Sequence, residues 1–445
     1  MLEALNTLLW GPGTLALILG TGAWLTLRTG GFPQRNLGRA LTLSLGREAR
    51  RKGRGGVSPF GSLMTALAST VGTGNIVGVA AALVSGGPGA LVWMELAAFL
   101  GLAAKFAECM LAVKYRHVRR DGTRWGGPMA VMETRLGSAG AVLGRFYALF
   151  ALLMAFAMGA MAQSGALADT FFAAFTLPRW RVGLVTAVLA LAILLGGIRR
   201  IAEISTVLVP VMALLYLGGG LAVILGNLRR LPEALILMLR CAVAPEAALG
   251  GALGIVTRRE ALRWGVARSV FSNEAGLGSA AITAACADTD EPVKQGLISM
   301  TGVFFDTMVI CTVTGLAICC SGTLGAADGN GLPLTGAALT LRAFETVLGP
   351  LAPWLIGAAL GLFAFTSVLG CAVQAETTAS YLLGPEAVRP CRVLYGLAVF
   401  VGAVIPMATV LQLADLANAL MAFSNLVCLL LLSGEIAGEC GRKER

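Results

Sequence analysis

The sequence predicts an all-α membrane protein of about eleven transmembrane helices, with one N-terminal helix preceding two inverted repeats of five helices. Three observations support this fold class. Of the 445 residues, 57% are hydrophobic and only 13% are charged, whereas a soluble chain has about 25% charged residues. Eleven apolar stretches are long enough to cross a bilayer. Two of them contain clustered glycines, which indicate broken helices.

The composition also excludes several classes of protein. A chain with so few charges cannot cover a water-facing surface, which excludes a soluble enzyme, a disordered protein and a coiled coil. The net charge of +10 is expected in cytoplasmic loops and predicts no nucleic-acid partner. The single histidine, His117, leaves no histidine triad or two-histidine zinc site. The ten cysteines show no CxxC spacing and are expected to be small apolar residues. We therefore expect no enzyme activity.

The apolar stretches set the predicted spans. They cover residues 5–27, 60–84, 89–113, 142–175, 182–197, 203–226, 245–270, 294–320, 351–375, 391–408 and 410–434. The predicted segments are an N-terminal helix with a basic loop (1–56), a first repeat (57–230), a second repeat (231–435) and a tail (436–445). A short interfacial helix is expected after Asn227. The glycine-rich stretch 321–350 is expected to form a hairpin with a helical piece that covers the outer face.

Basic residues predict the orientation. Arginines and lysines cluster in residues 28–54, 114–124, 199–200 and 258–268. With eleven spans, all four clusters fall on one side of the membrane. Because short cytoplasmic loops are enriched in Lys and Arg, this side is expected to be cytoplasmic. The N-terminus is then outside and the C-terminus inside, in a bacterial inner membrane.

Two glycine clusters predict where helices are interrupted. The first is AlaSerThrValGlyThrGlyAsnIleValGlyVal at 68–79, and the second is AlaLeuGlyGlyAlaLeuGlyIleVal at 248–256. An interrupted helix exposes N–H groups that suit a carboxylate and carbonyls that suit Na⁺. We therefore expect Gly250 and Gly251 to contribute to a substrate site. Alternatively, the glycines form close helix–helix contacts.

Several motifs resemble those of the alanine or glycine:cation symporter family over nearly the whole chain. The most specific are GlyThrGlyAsnIleValGlyVal at 72–79, SerGlyGlyProGlyAlaLeuValTrpMet at 85–94, and PheSerAsnGluAlaGlyLeuGlySerAla at 271–280. PheAspThrMetValIleCysThrValThrGly at 305–315 follows the same pattern. The resemblance implies the five-plus-five inverted repeat of LeuT-type transporters. It also implies co-transport of a small neutral amino acid with Na⁺, or sometimes with H⁺.

The resemblance implies a substrate site at the first interruption. Thr73 and Gly74 would present backbone N–H groups to the substrate carboxylate, and Asn75 would lie beside them. Gln163, in the fourth span, occupies the position of a glutamine that contacts substrate in the family. Read without the family, Gln163 is equally compatible with a packing bond between helices.

The resemblance also implies Na⁺ sites. The candidate ligands are Ala68, Thr70, Val71, Asn75, Asp306, Thr366 and Ser367, as backbone carbonyls or side-chain oxygens. Oxygen ligands suit this hard cation. Asp306 is also a candidate on physical grounds, because placing an acidic side chain inside a membrane costs free energy and such residues usually have a function. Alternatively, Asp306 forms an ion pair or a hydrogen bond at a helix end. The hydroxyls of Thr366 and Ser367 could instead bond to their own helix. The motif at 272–279 is expected to form a turn in the cytoplasmic gate, without contacting substrate.

The chain departs from the family pattern near Cys371. The family has a Trp and paired Tyr where this sequence reads LeuGlyCysAlaValGlnAlaGlu at 369–376. We expect Cys371 to contact substrate in an enlarged pocket. Glu95 also replaces an aromatic residue.

The predicted function is import of a small neutral amino acid, such as alanine or glycine, by Na⁺ symport, with the lipid bilayer as the environment and no obligate protein partner. The alternatives are another substrate or H⁺ coupling on the same fold, or an uncoupled channel or sensor.

Overall fold

Helices dominate the described chain. The computed structural model describes Asn6 and residues 9–51, 57–118, 122–243, 246–248, 255–327 and 331–444. The first ten helices are α1 Pro12–Arg28, α2 Phe32–Arg35, α3 Leu37–Leu45, α4 Pro59–Thr70, α5 Val77–Gly86, α6 Gly89–Lys114, α7 Pro128–Met154, α8 Gln163–Phe175, α9 Arg179–Leu194 and α10 Gly197–Gly226. The others are α11 Leu231–Val243, α12 Arg258–Asn273, α13 Ser279–Ala285, α14 Pro292–Val303, α15 Thr312–Ser321, α16 Gly336–Leu348, α17 Ala352–Leu383, α18 Val388–Val404, α19 Met407–Leu431 and α20 Ser433–Glu444.

Shorter elements connect these helices. Two π-helical segments, Ala155–Ala162 and Phe304–Cys311, join α7 to α8 and α14 to α15. Two antiparallel strand pairs are β1 His117–Val118 with β2 Arg124–Trp125, and β3 Glu246–Ala248 with β4 Ile255–Thr257. The 3₁₀ turns are Arg47–Arg50, Thr73–Asn75, Leu228–Arg230, Gly349–Leu351 and Pro385–Ala387.

The helices have the length and surface of membrane spans. In the described part of the chain, seven helical stretches are long and apolar enough to cross a membrane, and the bent pair α4–α5 makes an eighth. Large apolar side chains point outward on α9, α10 and α18, for example Val188, Leu214 and Val393. A soluble protein rarely exposes so much apolar surface. These faces therefore suit lipid, and the predicted all-helical membrane fold is confirmed.

The seventh predicted span, 245–270, is wrong in its boundaries. The strands β3 and β4 form a hairpin, and the helix begins only at Arg258. Gly250 and Gly251 lie outside the described residues. The helix ends at Asn273, where Glu274 adopts a left-handed φ of 52°, and it resumes as α13 at Ser279. The interruption of the second repeat therefore lies at 274–278, whereas the described residues of 248–256 belong to strands.

The two broken helices run in opposite directions beside each other. Helix α13 packs against α4, and α12 packs against α5. At one end, Val57 pairs with Ala287. At the other, a Cβ placed on Gly86 would lie 2.8 Å from the Cβ of Trp264. We call these the Val57 end and the Gly86 end.

The distribution of basic residues differs from the prediction at one cluster. Arg116 donates to the carbonyl of Ala287 at 2.6 Å, which places the 114–124 loop at the Val57 end. Residues 258–268 instead begin α12 at the Gly86 end, so the four clusters do not share one side. The prediction failed because 245–270 was counted as a complete span, whereas α12 and α13 together make one crossing.

Two elements cover the Gly86 end. Helix α16 lies in the 321–350 stretch, and the hydroxyl of Thr340 donates to the carbonyl of Ile76 at 3.3 Å. Helix α11 follows Asn227 and packs against α6. The core beneath α16 includes Tyr216, whose ring lies 5.6 Å from those of Phe344 and Phe363.

Candidate functional site

The first interruption lies where the glycine cluster predicts it. Helix α4 ends at Thr70, Gly72 is extended, and α5 leaves at an angle of 63°. A glycine is required at position 72 because two side chains lie close to its backbone: a Cβ there would lie 2.8 Å from Ser367 Oγ and 3.4 Å from Gln163 Oε1. The glycine therefore allows α8 and α17 to bring polar side chains against the exposed backbone.

The interruption leaves backbone donors free. The N–H of Gly72 donates to Asn75 Oδ1 at 3.2 Å. The N–H groups of Thr73 and Gly74 have no acceptor within the described residues. A Cβ on Gly74 would meet no atom within 4 Å. Two unpaired donors beside open space form a site for a small anion, although the assignment of Thr73 and Gly74 to a substrate carboxylate stays a prediction.

A cavity of about 660 Å³ adjoins this interruption. It lies between α5, α8, α16 and α17, and Thr73 is part of its wall. Its other lining residues are mostly small or apolar, such as Val77, Ala166 and Leu341, but the wall also contains Asp169, which forms an ion pair with Arg179. Such a cavity can hold a small molecule with an apolar side chain.

Gln163 reaches the first interruption. Its Oε1 accepts a hydrogen bond from Thr73 Oγ1 at 3.3 Å, and only 4% of the residue is exposed. The π-helical segment Ala155–Ala162 ends immediately before it. π-Helical turns often occur at functional sites because they change which side chains face inward. The predicted neighbourhood of Gln163 and Thr73 is thus present.

A polar cluster surrounds Asp306. Its carboxylate accepts from Asn75 Nδ2 at 2.7 Å, from Ser272 Oγ at 2.6 Å and from Thr307 Oγ1 at 3.3 Å. Asp306 is fully buried and forms no ion pair within the described ranges. Carboxylate, amide and hydroxyl oxygens are the ligands that a hard cation takes, so Asp306 stays a candidate Na⁺ ligand. Ser272 is a member that the sequence analysis missed, although the SerAsnGluAlaGlyLeuGlySer motif contains it.

A second group of oxygens lies where α17 crosses the end of α4. Ser367 Oγ lies 3.5 Å from the carbonyl of Val71. A Cβ on Gly370 would lie 2.4 Å from Ser69 N and 2.9 Å from the carbonyl carbon of Ala68. The two helices are therefore in close contact, and the Ala68–Val71 backbone faces α17. Thr70 is the last residue of α4.

Thr366 and Cys371 differ from their neighbours in what they contact. The Thr366 hydroxyl donates to the carbonyls of Leu362 and Phe363 at 2.9 and 3.0 Å, so it bonds to its own helix.

Cys371 packs against α7–α8, since a Cβ on Gly159 would lie 2.2 Å from the Cys371 Cβ. Cys371 does not line the cavity beside Thr73. The expected substrate contact is therefore a buried packing position.

The second interruption is held by charged side chains. Glu108 Oε2 accepts from the backbone N–H groups of Gly276 and Gly278, both at 3.1 Å. Lys105 Nζ lies 3.4 Å from Glu108 Oε1, and it donates to the carbonyl of Glu274 at 3.1 Å. The Glu274 side chain accepts from the Ser279 hydroxyl. The predicted turn at 272–279 is thus part of a broken helix.

Comparisons with known proteins agree with this geometry. The family model described as "Sodium:alanine symporter family" matches residues 1–441. "Sodium/alanine symporter AgcS" of Methanococcus maripaludis is 41% identical over 441 residues, which cover 99% of this chain and 96% of that protein. An "Uncharacterized transporter" of Haemophilus influenzae is 43% identical over 432 residues, with 97% and 92% covered.

A solved structure, "MhsT in complex with L-phenylalanine", shares the fold. It matches with a TM-score of 0.60 at 14% identity, and the match covers 85% of this chain and 90% of that one. At this identity the likeness concerns the fold alone, which is of the LeuT type.

Proposed function

Because the chain belongs to the sodium:alanine symporter family, we propose that it imports a small neutral amino acid, such as alanine or glycine, by symport with Na⁺. The first interruption carries this proposal: the N–H groups of Thr73 and Gly74 have no acceptor within the described chain, and Thr73 lines a cavity of about 660 Å³. Broken helices near mid-membrane are typical sites in secondary transporters.

The substrate would bind by both of its charged ends. Its carboxylate would accept from the N–H groups of Thr73 and Gly74, because the positive end of a half helix favours an anion. The amide oxygen of Gln163 could accept from the ammonium group without adding a net charge. The groups proposed to bind the substrate are neutral, and the acid in the cavity wall, Asp169, is paired with Arg179 at 2.9 Å, so the site favours a zwitterion over an acidic or basic amino acid.

Two Na⁺ sites are proposed. One would be formed by Asn75 and Asp306, where a carboxylate lies among amide and hydroxyl groups. The other would be formed by the carbonyls of Ala68 and Val71 with Ser367, while Thr366 completes it only if its hydroxyl turns from its own helix. The second site offers neutral oxygens, which suit Na⁺ better than H⁺.

We propose that the Val57 end is cytoplasmic. The basic segments 28–54 and 114–124 lie at this end and outnumber the basic residues that open α12 at the other. By the same rule the C-terminal helix α20 is cytoplasmic and the N-terminus is outside, in a bacterial inner membrane.

Uptake into proteoliposomes tests the proposal. Purified protein is reconstituted, and labelled alanine uptake is measured with an inward Na⁺ gradient, with an equal K⁺ gradient and with a proton gradient alone. We expect accumulation only with Na⁺, inhibited by glycine more than by glutamine. The absence of gradient-dependent uptake for every neutral amino acid in a panel would refute the function.

A glycine pair tests the substrate site. Gly74→Ala places a methyl group in open space beside the free N–H groups, so the protein should fold but bind alanine about tenfold more weakly. Gly218→Ala is the matched control, because a Cβ on Gly218 of α10 also meets no atom within 4 Å and lies away from the cavity. Equal alanine affinities of the two variants would contradict the assignment of the carboxylate to Gly74.

A further inference from the structure

The second interruption already contains an anion supplied by the chain. The Glu108 carboxylate accepts from the N–H groups of Gly276 and Gly278 and from Asn425 Nδ2, at 3.1, 3.1 and 3.0 Å. Exposed N–H groups of an interrupted helix bind anions. At the first interruption such donors are free, whereas at the second a side chain of α6 occupies them.

A buried lysine completes this arrangement. Lys105 Nζ lies 3.4 Å from Glu108 Oε1 and donates to the carbonyl of Glu274. Lys105 and Glu108 are each 2% exposed. Glu108 Oε1 has no hydrogen-bond partner in the part of the chain that is described, so the lysine charge is its main compensation. Removing the charge of one partner would leave the other uncompensated in a buried place.

These contacts tie two spans, α6 and α19, to one short half helix. Asn425 of α19 also donates to the carbonyl of Gly276 at 2.9 Å. The interrupted segment is therefore bound by α6 through Lys105 and Glu108, and by α19 through Asn425. It continues directly into α13, which packs against α4 and α6. Helix α13 leads to Ala287, which pairs with Val57, and so it belongs to the closure of the Val57 end.

We propose that Glu108 is a positioning residue of the transport cycle: a tethered carboxylate that fills the second interruption and holds α13 closed at the Val57 end. The proposal rests on the proposed function, in which this end must open to release substrate. It also follows that the N–H groups of Gly276 and Gly278 are not available to a substrate carboxylate while Glu108 binds them. Opening at the Val57 end then requires the Glu108–Gly276–Gly278 contacts to loosen.

Cys286 provides a native reporter of this closure. It caps the C-terminus of α13 and is buried, with its Sγ 3.4 Å from the carbonyl of Ile282. The ten cysteines, all within the described residues, form no disulfide bond. Cys241, in α11 at the Gly86 end, is also buried and serves as the reference thiol. Maleimide labelling of the purified full-length protein, mapped by peptide mass spectrometry, gives the rate at each site.

The test variant is Glu108→Gln. The amide oxygen can still accept from the two glycine N–H groups, but the charge that holds Lys105 is lost. We expect Cys286 to label about tenfold faster than in the unmodified protein, with Cys241 unchanged. The maximal rate of alanine uptake should fall about tenfold while its KM changes less than about threefold. Glu108→Asp should restore part of both properties, because it keeps the charge.

Two further variants make the test decisive. Lys105→Met with Glu108→Gln removes both charges and should fold even if the single variant does not; it too should label quickly at Cys286. Glu95→Gln lies on the same helix, loses only a carboxylate that accepts from Thr312 at 2.8 Å, and should label at the unmodified rate. Folded Glu108 variants that label Cys286 at the unmodified rate would overturn the proposal. Labelling needs neither Na⁺ nor alanine, so a failure of uptake by the unmodified protein would refute only the proposed function.

Discussion

Asp306 offers the sharpest test of the proposed Na⁺ site at the first interruption. Asp306→Asn keeps the shape of the side chain but removes its charge. Two short hydrogen bonds, from Asn75 at 2.7 Å and from Ser272 at 2.6 Å, now end on the carboxylate. In the variant, one of the two oxygens becomes an amide nitrogen that faces a donor. At least one of these bonds must therefore be lost or reversed.

The expected loss can be worked from these contacts. A hydrogen bond to a charged group contributes about 1.5–3 kcal/mol and a neutral one about 0.5–1.5 kcal/mol. A Na⁺ ligand that changes from a carboxylate to a neutral amide oxygen loses a comparable difference, about 2 kcal/mol, and this corresponds to about a 30-fold weaker affinity. The Na⁺ concentration for half-maximal alanine uptake should rise by about this factor. In the Na⁺-free protein the weaker hydrogen bonds are offset by the lower cost of burying a neutral amide, so its thermal stability should change little.

The assay is alanine uptake by proteoliposomes across a range of Na⁺ concentrations, with thermal unfolding of the Na⁺-free protein measured in parallel. Asp415→Asn is the control, because the Asp415 carboxylate accepts no hydrogen bond in the described part of α19. Its Na⁺ dependence should match that of the unmodified protein. If Asp306→Asn keeps the original Na⁺ dependence and folds normally, Asp306 does not contribute to a Na⁺ site.

Two other predictions follow from single contacts. Ser367→Ala removes the hydroxyl near the Val71 carbonyl and should raise the half-maximal Na⁺ concentration about fivefold in the same uptake assay. Thr366→Val removes a hydroxyl that is bonded to its own helix and should raise this concentration less. A larger effect of Thr366→Val than of Ser367→Ala would contradict the assignment. The hydrogen bond from Lys294, at 2.8 Å, lowers the pKa of Glu48 below its usual value. The ion pair therefore stabilises the fold fully at a pH above the pKa of Glu48 in the unfolded chain, and this stabilisation is lost as the pH falls through the lower pKa of Glu48 in the folded protein. We expect a small decrease in Tm between about pH 5 and 3, and we expect this decrease to disappear in Lys294→Met.

The sequence was sufficient for the first interruption because its cause is local. Gly72 and Asn75 are adjacent to the break, and the close approach of Ser367 and Gln163 demands a glycine. The second break depends on distant partners: Glu108 and Asn425 are 168 and 149 residues from Gly276. The glycine cluster at 248–256 predicted a break there instead. Clustered glycines indicate that a helix breaks easily, but they do not show whether partners exist for the N–H groups that the break exposes.

The orientation of side chains around the site also depends on structure that apolar patterning hides. In a regular α-helix, residues four apart share a face, so Gly159 and Gln163 would point the same way. The π-helical segment Ala155–Ala162 adds a residue to the turn and changes this register. Gly159 consequently meets Cys371, while Gln163 meets Thr73. The same argument applies to Phe304–Cys311, which contains Asp306. A residue inserted or deleted in either π segment should therefore rotate its polar group from the site without unfolding the span.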